Sequence, residues 1–476
     1  MNILLINPYV PLEVVYGRHG EQIGAILPPL GILYLKAYLQ KAQQHQIDIL
    51  DANALKMDAA AVQAYCATRS FDVIGFTATT LAYPYAVDAA RLLRTSFPAI
   101  TLIIGGAHAQ GDQAGILTEH PAIFDYACYS EGEFALELLL DYLENRIQEQ
   151  QLLGWVYLKQ GVPITTPAPQ VPEDLDIFGH PAEIIPREWI HLYHEKVLSY
   201  RQLPMFAVMS SRGCPFQCTF CSTPSKYKTL YQGKMRYHSL DWLLEELRIL
   251  EQRYGVKEVN IVDDTFNVDR SRALEFSRRK IASGLQMSWA CNFEANIADP
   301  ELIQAMKNAG CWTIMIGGES GSNRMLEFMH KGVTAERLLQ VCRWADEIGI
   351  VTRVSFILGL PTETLESINE TIRLLQDSDI HFPYFQLYVP LPGSAMYDQL
   401  GKYGKIIVKD PRQRSASKVN FLPDGLSEQE LQHAYRTIFK RVYFRWRMVR
   451  NHLRFIHSRD DLIRYWKGFS ALLQFS

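Results

Sequence analysis

The sequence predicts an α/β protein in three parts: a doubly wound, Rossmann-like N-terminal domain, a (βα)6 partial TIM barrel and a C-terminal helical region capping it. Three observations predict this. Over residues 1–150, short and wholly apolar runs alternate with amphipathic stretches, the pattern of a parallel sheet covered on both faces. Proline and turn residues break that rhythm over 151–203. A second alternating series fills 204–400, and helical periodicity dominates 401–476.

In the first part NILLI (2–6), IDIL (47–50), DVIGFT (72–77), TLIIGG (101–106) and DYACY (125–129) read as strands. Between them PPLGILYLKAYLQKA, DAAAVQAYCATR, LAYPYAVDAARLLRTSF and EFALELLLDYLEN read as helices. Five such units make a doubly wound domain. In the second part WVYL and VPITT suggest a hairpin inside a linker; His191 and His194 of HLYH, with no further ligand nearby, read as packed or solvated. In the third part FAVMSS (206–211), EVNIVDD (258–264), MSWACN (287–292), TIMIGG (313–318), RVSFILG (353–359) and YFQLYVP (384–390) read as strands. SLDWLLEELRILEQRYG, RSRALEFSRRKIASG and ERLLQVCRWADEIGI are among the intervening helices. Barrels carry their chemistry at the C-terminal ends of strands. There lie three clustered cysteines, Asp263 and Asp264, Glu319 and Ser320, and Gly359, Leu360 and Pro361.

The composition, 476 residues with 48% hydrophobic, 21% charged and a net charge of −3, is that of a globular protein and gives no sign of nucleic-acid binding. MNILLINPYVP lacks the basic and apolar regions of a secretory signal, and no run of about 18 apolar residues could span a membrane. The expected location is cytoplasmic. In that reducing compartment clustered cysteines point to metal or catalysis. Cys66, Cys128, Cys291, Cys311 and Cys342 are scattered among apolar residues and read as core.

Cys214, Cys218 and Cys221 stand in a Cys-x3-Cys-x2-Cys spacing within GCPFQCTFCS. Three thiolates leave a tetrahedral zinc site one ligand short. They can hold three irons of a cubane iron–sulfur cluster and leave the fourth iron open to a chelating small molecule. Gly213 and Pro215 shape the start of the loop, and Phe220 can shield a cluster from solvent. The loop resembles that of the radical S-adenosylmethionine enzymes. The resemblance implies a 4Fe-4S cluster, S-adenosylmethionine on its open iron, and a 5′-deoxyadenosyl radical that abstracts hydrogen from an unactivated carbon. Metal ligands would be Cys214, Cys218 and Cys221. VDDTF (262–266), IGGESGS (316–322), FILGLPTET (356–364) and VPLPGSAMY (389–397) resemble the later strand motifs of that family. They imply cofactor contacts from Asp263, Asp264, Phe266, Gly317, Gly318, Glu319, Ser320, Gly359 and Pro361. One departure stands out: relatives often carry an arginine after the third strand, where this chain reads NFEAN (292–296), and Glu294 is a candidate for the substrate site.

The first domain resembles the cobalamin-binding domain that precedes the barrel in one large subgroup of that family. INP (6–8), PPLGILYLKAYL (28–39), Asp51 in ILDA, DVIGFT, IIGGAH (103–108) and YSEGE (129–133) carry the resemblance. It implies a slot for the cobalamin tail beside small residues at Thr77, Ala78, Gly105 and Gly106, with His108 and Glu133 meeting amide or phosphate groups. The Asp-x-His-x-x-Gly motif that supplies a lower axial histidine is missing; RHGEQIG offers His19 without the aspartate. Cobalamin with no protein histidine on cobalt is therefore expected.

Residues 436–467 hold ten Lys or Arg against two Asp or Glu, interleaved with Trp446, Phe455, Tyr465 and Trp466. This reads as a helical cap with snorkelling arginines, the alternative being a peripheral membrane contact. Together the two resemblances imply a cobalamin-dependent enzyme that methylates an unactivated carbon or phosphorus, the alternative being an oxidative cyclase or other ring-forming enzyme without methyl transfer. Implied partners are a small-molecule substrate (natural product, lipid or tetrapyrrole) and an external electron donor such as flavodoxin or ferredoxin. No individual catalytic residue is marked by the sequence.

Overall fold

The computed structural model describes residues 1–16, 20–196, 198–223, 233–376, 378–408 and 411–443, with Leu462, Tyr465 and Trp466. Strands β1 (Asn2–Asn7), β2 (Gln46–Asp51), β3 (Val73–Thr77), β4 (Thr101–Gly105) and β5 (Tyr126–Cys128) are parallel. They lie in the order β2-β1-β3-β4-β5, so the chain reverses direction across the sheet at β1 and β3. Helices α1 (Leu30–Leu39), α2 (Ala59–Ala67), α3 (Tyr83–Ser96) and α4 (Gly132–Leu143) are the main crossovers. β1 is buried along Ile3–Ile6, which is why its sequence is a continuous apolar run rather than an alternating one.

The hairpin expected in the linker belongs instead to this sheet. β6 (Trp155–Lys159) pairs antiparallel with β5, and β7 (Val162–Thr165) with β6, giving seven strands. Trp155 is the reason: it is 1% exposed and its indole N–H donates to the Ala135 carbonyl of α4 at 2.8 Å. The N-terminal domain therefore extends past residue 150.

The second sheet has six parallel strands in sequential order: β8 (Met205–Val208), β9 (Glu258–Ile261), β10 (Ser288–Phe293), β11 (Cys311–Glu319), β12 (Val351–Leu358) and β13 (Phe382–Leu387). β8 and β13 are its edges, so the barrel is open. Helices α5 (Leu240–Tyr254), α6 (Arg270–Ser283), α7 (Pro300–Asn308), α8 (Ala335–Ile348) and α9 (Leu365–Gln376) cross between strands. Their punctuation is local: α5 starts where the Ser239 hydroxyl accepts from Trp242 N–H and ends on Gly255 at φ 66°.

Helix α10 (Glu428–Tyr443) packs against α9 and β13, burying Leu431, Ile438 and Val442 and setting Phe439 edge-on to Phe385 at 5.2 Å. This is the cap. Trp446, Phe455 and most of the basic stretch lie outside the described residues, as does His19. Among the described residues no helix is long and apolar enough to cross a membrane.

A buried ionic cluster ties the two sheets together. Glu131 and Glu133, at the start of α4, face Arg212 and Arg236, which flank the cysteine segment in the chain. Arg212 meets Glu133 at 2.6 Å, and Arg236 meets Glu131 at 2.5 Å. Despite burial, which pushes it up, the Glu131 carboxyl is held low by the two guanidinium groups.

Candidate active site

The cysteine segment is positioned by Asp263, at the end of β9. Its carboxylate accepts from Ser210 N–H at 2.5 Å, Ser210 Oγ at 2.6 Å and Ser211 N–H at 3.0 Å, and it is 2% exposed. Asp263 is thereby turned from the expected ammonium contact to the support of the loop. Asp264, one residue on, lies on the wall of a cavity of about 570 Å³. Cys214, Cys218 and Cys221 all line that cavity, with Phe216 and Phe220 beside them. Thr219 N–H bonds to the Met329 carbonyl at 3.0 Å, and Thr223 N–H points at Cys221 Sγ at 3.5 Å.

Among the described residues no three His, Cys, Asp or Glu side chains converge on the position of a single ion. Three thiolates on one cavity wall suit a cubane, whose cysteine sulfurs bind separate irons. The three cysteines would hold the cluster, with the open iron facing the cavity.

Of the fourth-strand residues, Gly317 and Glu319 face the cavity. A side chain at Gly317 would run 2.3 Å from Glu319 Oε1. Gly318 points the other way, where a Cβ would meet Val354 at 2.6 Å, so its smallness serves packing behind the sheet. Ser320 is 1% exposed, and its hydroxyl accepts from Ser322 N–H at 3.1 Å and faces Thr371 of α9. Phe266 packs between Phe276 and Trp289 in the core. Gly359 and Pro361 are also set back from the cavity wall: Gly359, at φ 80°, donates its N–H to Glu363 at 2.5 Å and abuts Leu431 of α10. In this structure Gly318, Ser320, Phe266 and Gly359 thus support the strand ends.

Glu319 is the unusual group. It is 8% exposed, sits at φ 59°, and has no hydrogen-bond partner among the described residues. Burial pushes its carboxyl up to about 7; Lys331 opposes the shift and Glu294 adds to it. Lys331, absent from the sequence-based expectations, is 8% exposed by side chain and pairs with Glu294 at 2.6 Å. Burial pulls its ammonium down, but Glu294 and Glu319 more than compensate and hold it above its ordinary value. Nothing in the run MHKG marks this lysine in sequence; the fold buries it.

In the N-terminal domain the C-terminal ends of β3 and β4 form a close turn. Gly106, at φ 92°, leaves no room for a Cβ, which would lie 2.8 Å from Ala78 N and 2.8 Å from Thr77 Oγ1. Ala78 N–H donates to the Gly105 carbonyl, and His108 N–H to the Ala78 carbonyl, both at 2.9 Å. The His108 ring lies on Tyr83 with centroids 4.2 Å apart, and burial pulls its pKa down to about 4. Among the described residues its buried Nε2 has no partner, an orphaned polar atom that a bound group could satisfy. The orphaned Nε2 is the feature here that fits an amide or phosphate of cobalamin, while Thr77, Gly105 and Gly106 shape the turn that holds His108. Glu133 does not fit such a group, because Arg212 occupies its carboxylate. Asp51 is also structural, fully buried and accepting from Asn7, Ala54 and Tyr193.

Residues 208–375 match the Radical SAM superfamily, and residues 20–140 the B12 binding domain. The chain is 31% identical over 401 residues to an uncharacterized methyltransferase of Pyrococcus horikoshii, covering 84% of this chain and 83% of that protein. It is 26% identical to the anaerobic magnesium-protoporphyrin IX monomethyl ester cyclase of Rubrivivax gelatinosus, over 93% of this chain and 77% of the cyclase. Its fold resembles that of the radical S-adenosylmethionine methyltransferase TsrM of Kitasatospora setae, solved with cobalamin and a [4Fe-4S] cluster bound, with a TM-score of 0.67 at 15% identity over 87% of this chain and 84% of TsrM. The chain belongs to the radical S-adenosylmethionine enzymes that carry an N-terminal cobalamin-binding domain, whose cofactors are a [4Fe–4S] cluster, S-adenosylmethionine and cobalamin.

Proposed function

We propose that this enzyme methylates an unactivated carbon or phosphorus centre of a small molecule, as a cytoplasmic protein served by an external electron donor of the flavodoxin or ferredoxin type. Similarity to the uncharacterized methyltransferase of Pyrococcus horikoshii across 84% of the chain supports the reading. When bound, the cluster and S-adenosylmethionine supply hydrogen abstraction, and cobalamin supplies a methyl group. The chain's own residues bind and shield. Cys214, Cys218 and Cys221 hold the cluster at one side of the cavity. Asp264 and Glu319 present carboxylates to the cationic cosubstrate, and Gly317 lets it approach the strand. Phe216 and Phe220 exclude water. His108, neutral and roofed by Tyr83, suits a hydrogen bond to an amide or phosphate better than ligation of cobalt.

The test is a product count under reductant with S-adenosylmethionine and candidate substrates. Formation of 5′-deoxyadenosine and S-adenosylhomocysteine together is expected, one consumed cosubstrate for each. 5′-Deoxyadenosine without any S-adenosylhomocysteine excludes methyl transfer and favours ring formation, the activity named for the Rubrivivax relative.

A further inference from the structure

The charges on the cavity wall are unevenly divided. Asp264, Glu294, Glu319 and Lys331 gather at the cluster end. The far end carries Lys196 and Arg353 and no carboxylate. Lys196 Nζ lies over the Tyr384 ring, 3.6 Å from its centroid, and 5.4 Å from that of Tyr16. Arg353 donates to the Ser199 hydroxyl and, at 3.5 Å, to the Ser199 carbonyl. Among the described residues neither cation forms an ion pair. The Glu195 and Glu258 carboxylates act on Arg353 from behind the cavity wall and are themselves hydrogen-bonded there, Glu195 accepting from Asn260 Nδ2 at 2.8 Å and Glu258 from Arg201 and Gln202 N–H at 2.8 and 2.9 Å; neither lines the cavity. Two half-buried cations on a largely apolar wall, neither in a direct ion pair among the described residues, form an anion site, because a counter-charge that reaches them from the cavity gains their attraction without displacing a bonded carboxylate.

The wall between the two ends is aromatic, with Phe382, Tyr384, Phe385, Tyr435, Phe439 and Tyr443 along it. The register gives the span. Arg353 pairs with Met315 and Phe356 with Glu319, so Arg353 stands three residues, about 10 Å, along β12 from the level of Glu319. Resting on the proposed radical chemistry at the cluster end, we infer that the substrate is an elongated carboxylate. Its acid group binds Lys196 and Arg353, and its apolar or aromatic body lies along the ring-lined wall toward the cluster. The cationic far end thus receives the anionic substrate group, as the acidic end receives the cationic cosubstrate.

The experiment uses the full, cluster-loaded chain in anaerobic equilibrium dialysis with two probes of one shape, 1-pyrenebutyrate and 1-pyrenebutanol. The wild type should bind the carboxylate about tenfold or more tighter than the alcohol. Lys196→Gln should lose about tenfold for the carboxylate and less than about twofold for the alcohol, and Lys196→Arg should keep the preference. Lys196 lies outside both sheets, so these variants spare the barrel; Arg353→Gln, should it fold, repeats the pattern. Equal binding of the two probes, binding of neither, or a variant that loses both alike overturns the inference. Release of 5′-deoxyadenosine by the same wild-type sample under reductant reports the radical chemistry separately. Release without probe discrimination removes only the anion site; discrimination without release removes the radical reading and leaves an anion-binding cavity.

Discussion

Replacing Glu319 by glutamine should make the protein more stable, and only at the pH where the enzyme would work. In the unfolded chain a glutamate titrates near its ordinary value, about 4.5. In the fold, burial raises it to about 7. Between those values the native state holds a proton that the unfolded state has lost, so stability falls as pH rises through that window. Below it, glutamic acid and glutamine are both neutral, and the two chains should be equally stable. Above it, wild type carries the full penalty. A shift of about 2.5 units at about 1.4 kcal/mol per unit gives roughly 3 kcal/mol. Glutamine keeps the size and the backbone strain at φ 59°, so those cancel in the difference. Glu363, likewise raised to about 7 by burial, is common to both chains and cancels too. Urea titrations of both chains at pH 4.5, 6, 7 and 8 should show the variant's advantage growing from near zero to roughly 3 kcal/mol. A difference that does not change with pH would refute the argument that Glu319 is an uncompensated buried acid. The same carboxylate, ionised, is the acceptor for the cationic cosubstrate, so S-adenosylmethionine affinity should rise through pH 7 in wild type and be flat in the variant.

The remaining expectations concern the groups around it. Lys331→Met leaves Glu294 unpaired and buried, and should lower stability by about 3–5 kcal/mol, most of which the double replacement Glu294→Met with Lys331→Met restores; calorimetry of the three chains checks this. Arg212→Met strands Glu133 and weakens the tie between the sheets; a loss of about 3–5 kcal/mol is expected, measured by urea unfolding, together with a lower iron content because Arg212 adjoins the cysteine loop. Gly106→Ala forces a Cβ to 2.8 Å from Ala78 N at a left-handed φ, and should reduce retained cobalamin, read from the absorbance of purified protein, while the iron content stays near wild type. The EPR spectrum of cobalt(II) in the protein should show no nitrogen superhyperfine splitting from a lower ligand; triplet splitting would place a histidine on cobalt.

The strands were legible because they are buried on both faces, so their apolar runs need no partner to be recognised. The hairpin's allegiance was not, because an antiparallel edge pair is fixed by what its side chains pack on, and the site of Trp155 against α4 exists only in the fold. The cysteines were legible because their chemistry is local to eight residues. Neighbouring residues at strand ends were harder. Asp263 and Asp264, or Gly317 and Gly318, differ by one position, and successive side chains leave opposite faces of a strand. The sequence marks the pair; the register decides which member lines the cavity and which props the loop. Lys331, Lys196 and Arg353 carry no motif at all, and become notable only through burial and the neighbours the fold brings to them.

The departure after the third strand has a physical reading once Lys331 is seen. After the third strand this chain places Glu294, whose carboxylate takes the ammonium of Lys331 at 2.6 Å. With Lys331 so engaged, Glu319 forms no ion pair among the described residues, and Glu294 itself adds negative charge that pushes the Glu319 carboxyl further up. A cation in place of Glu294 would act in the opposite sense twice, repelling Lys331 toward Glu319 and lowering the Glu319 pKa directly. The glutamate therefore keeps the acidic end of the cavity short of positive charge. A sulfonium cosubstrate that binds there gains more from an uncompensated carboxylate than from one already paired, because its arrival neutralises a buried charge instead of displacing a partner. On this argument the instability stored at Glu319 and the affinity for the cosubstrate are one quantity, and a Glu294→Gln chain should surrender both together.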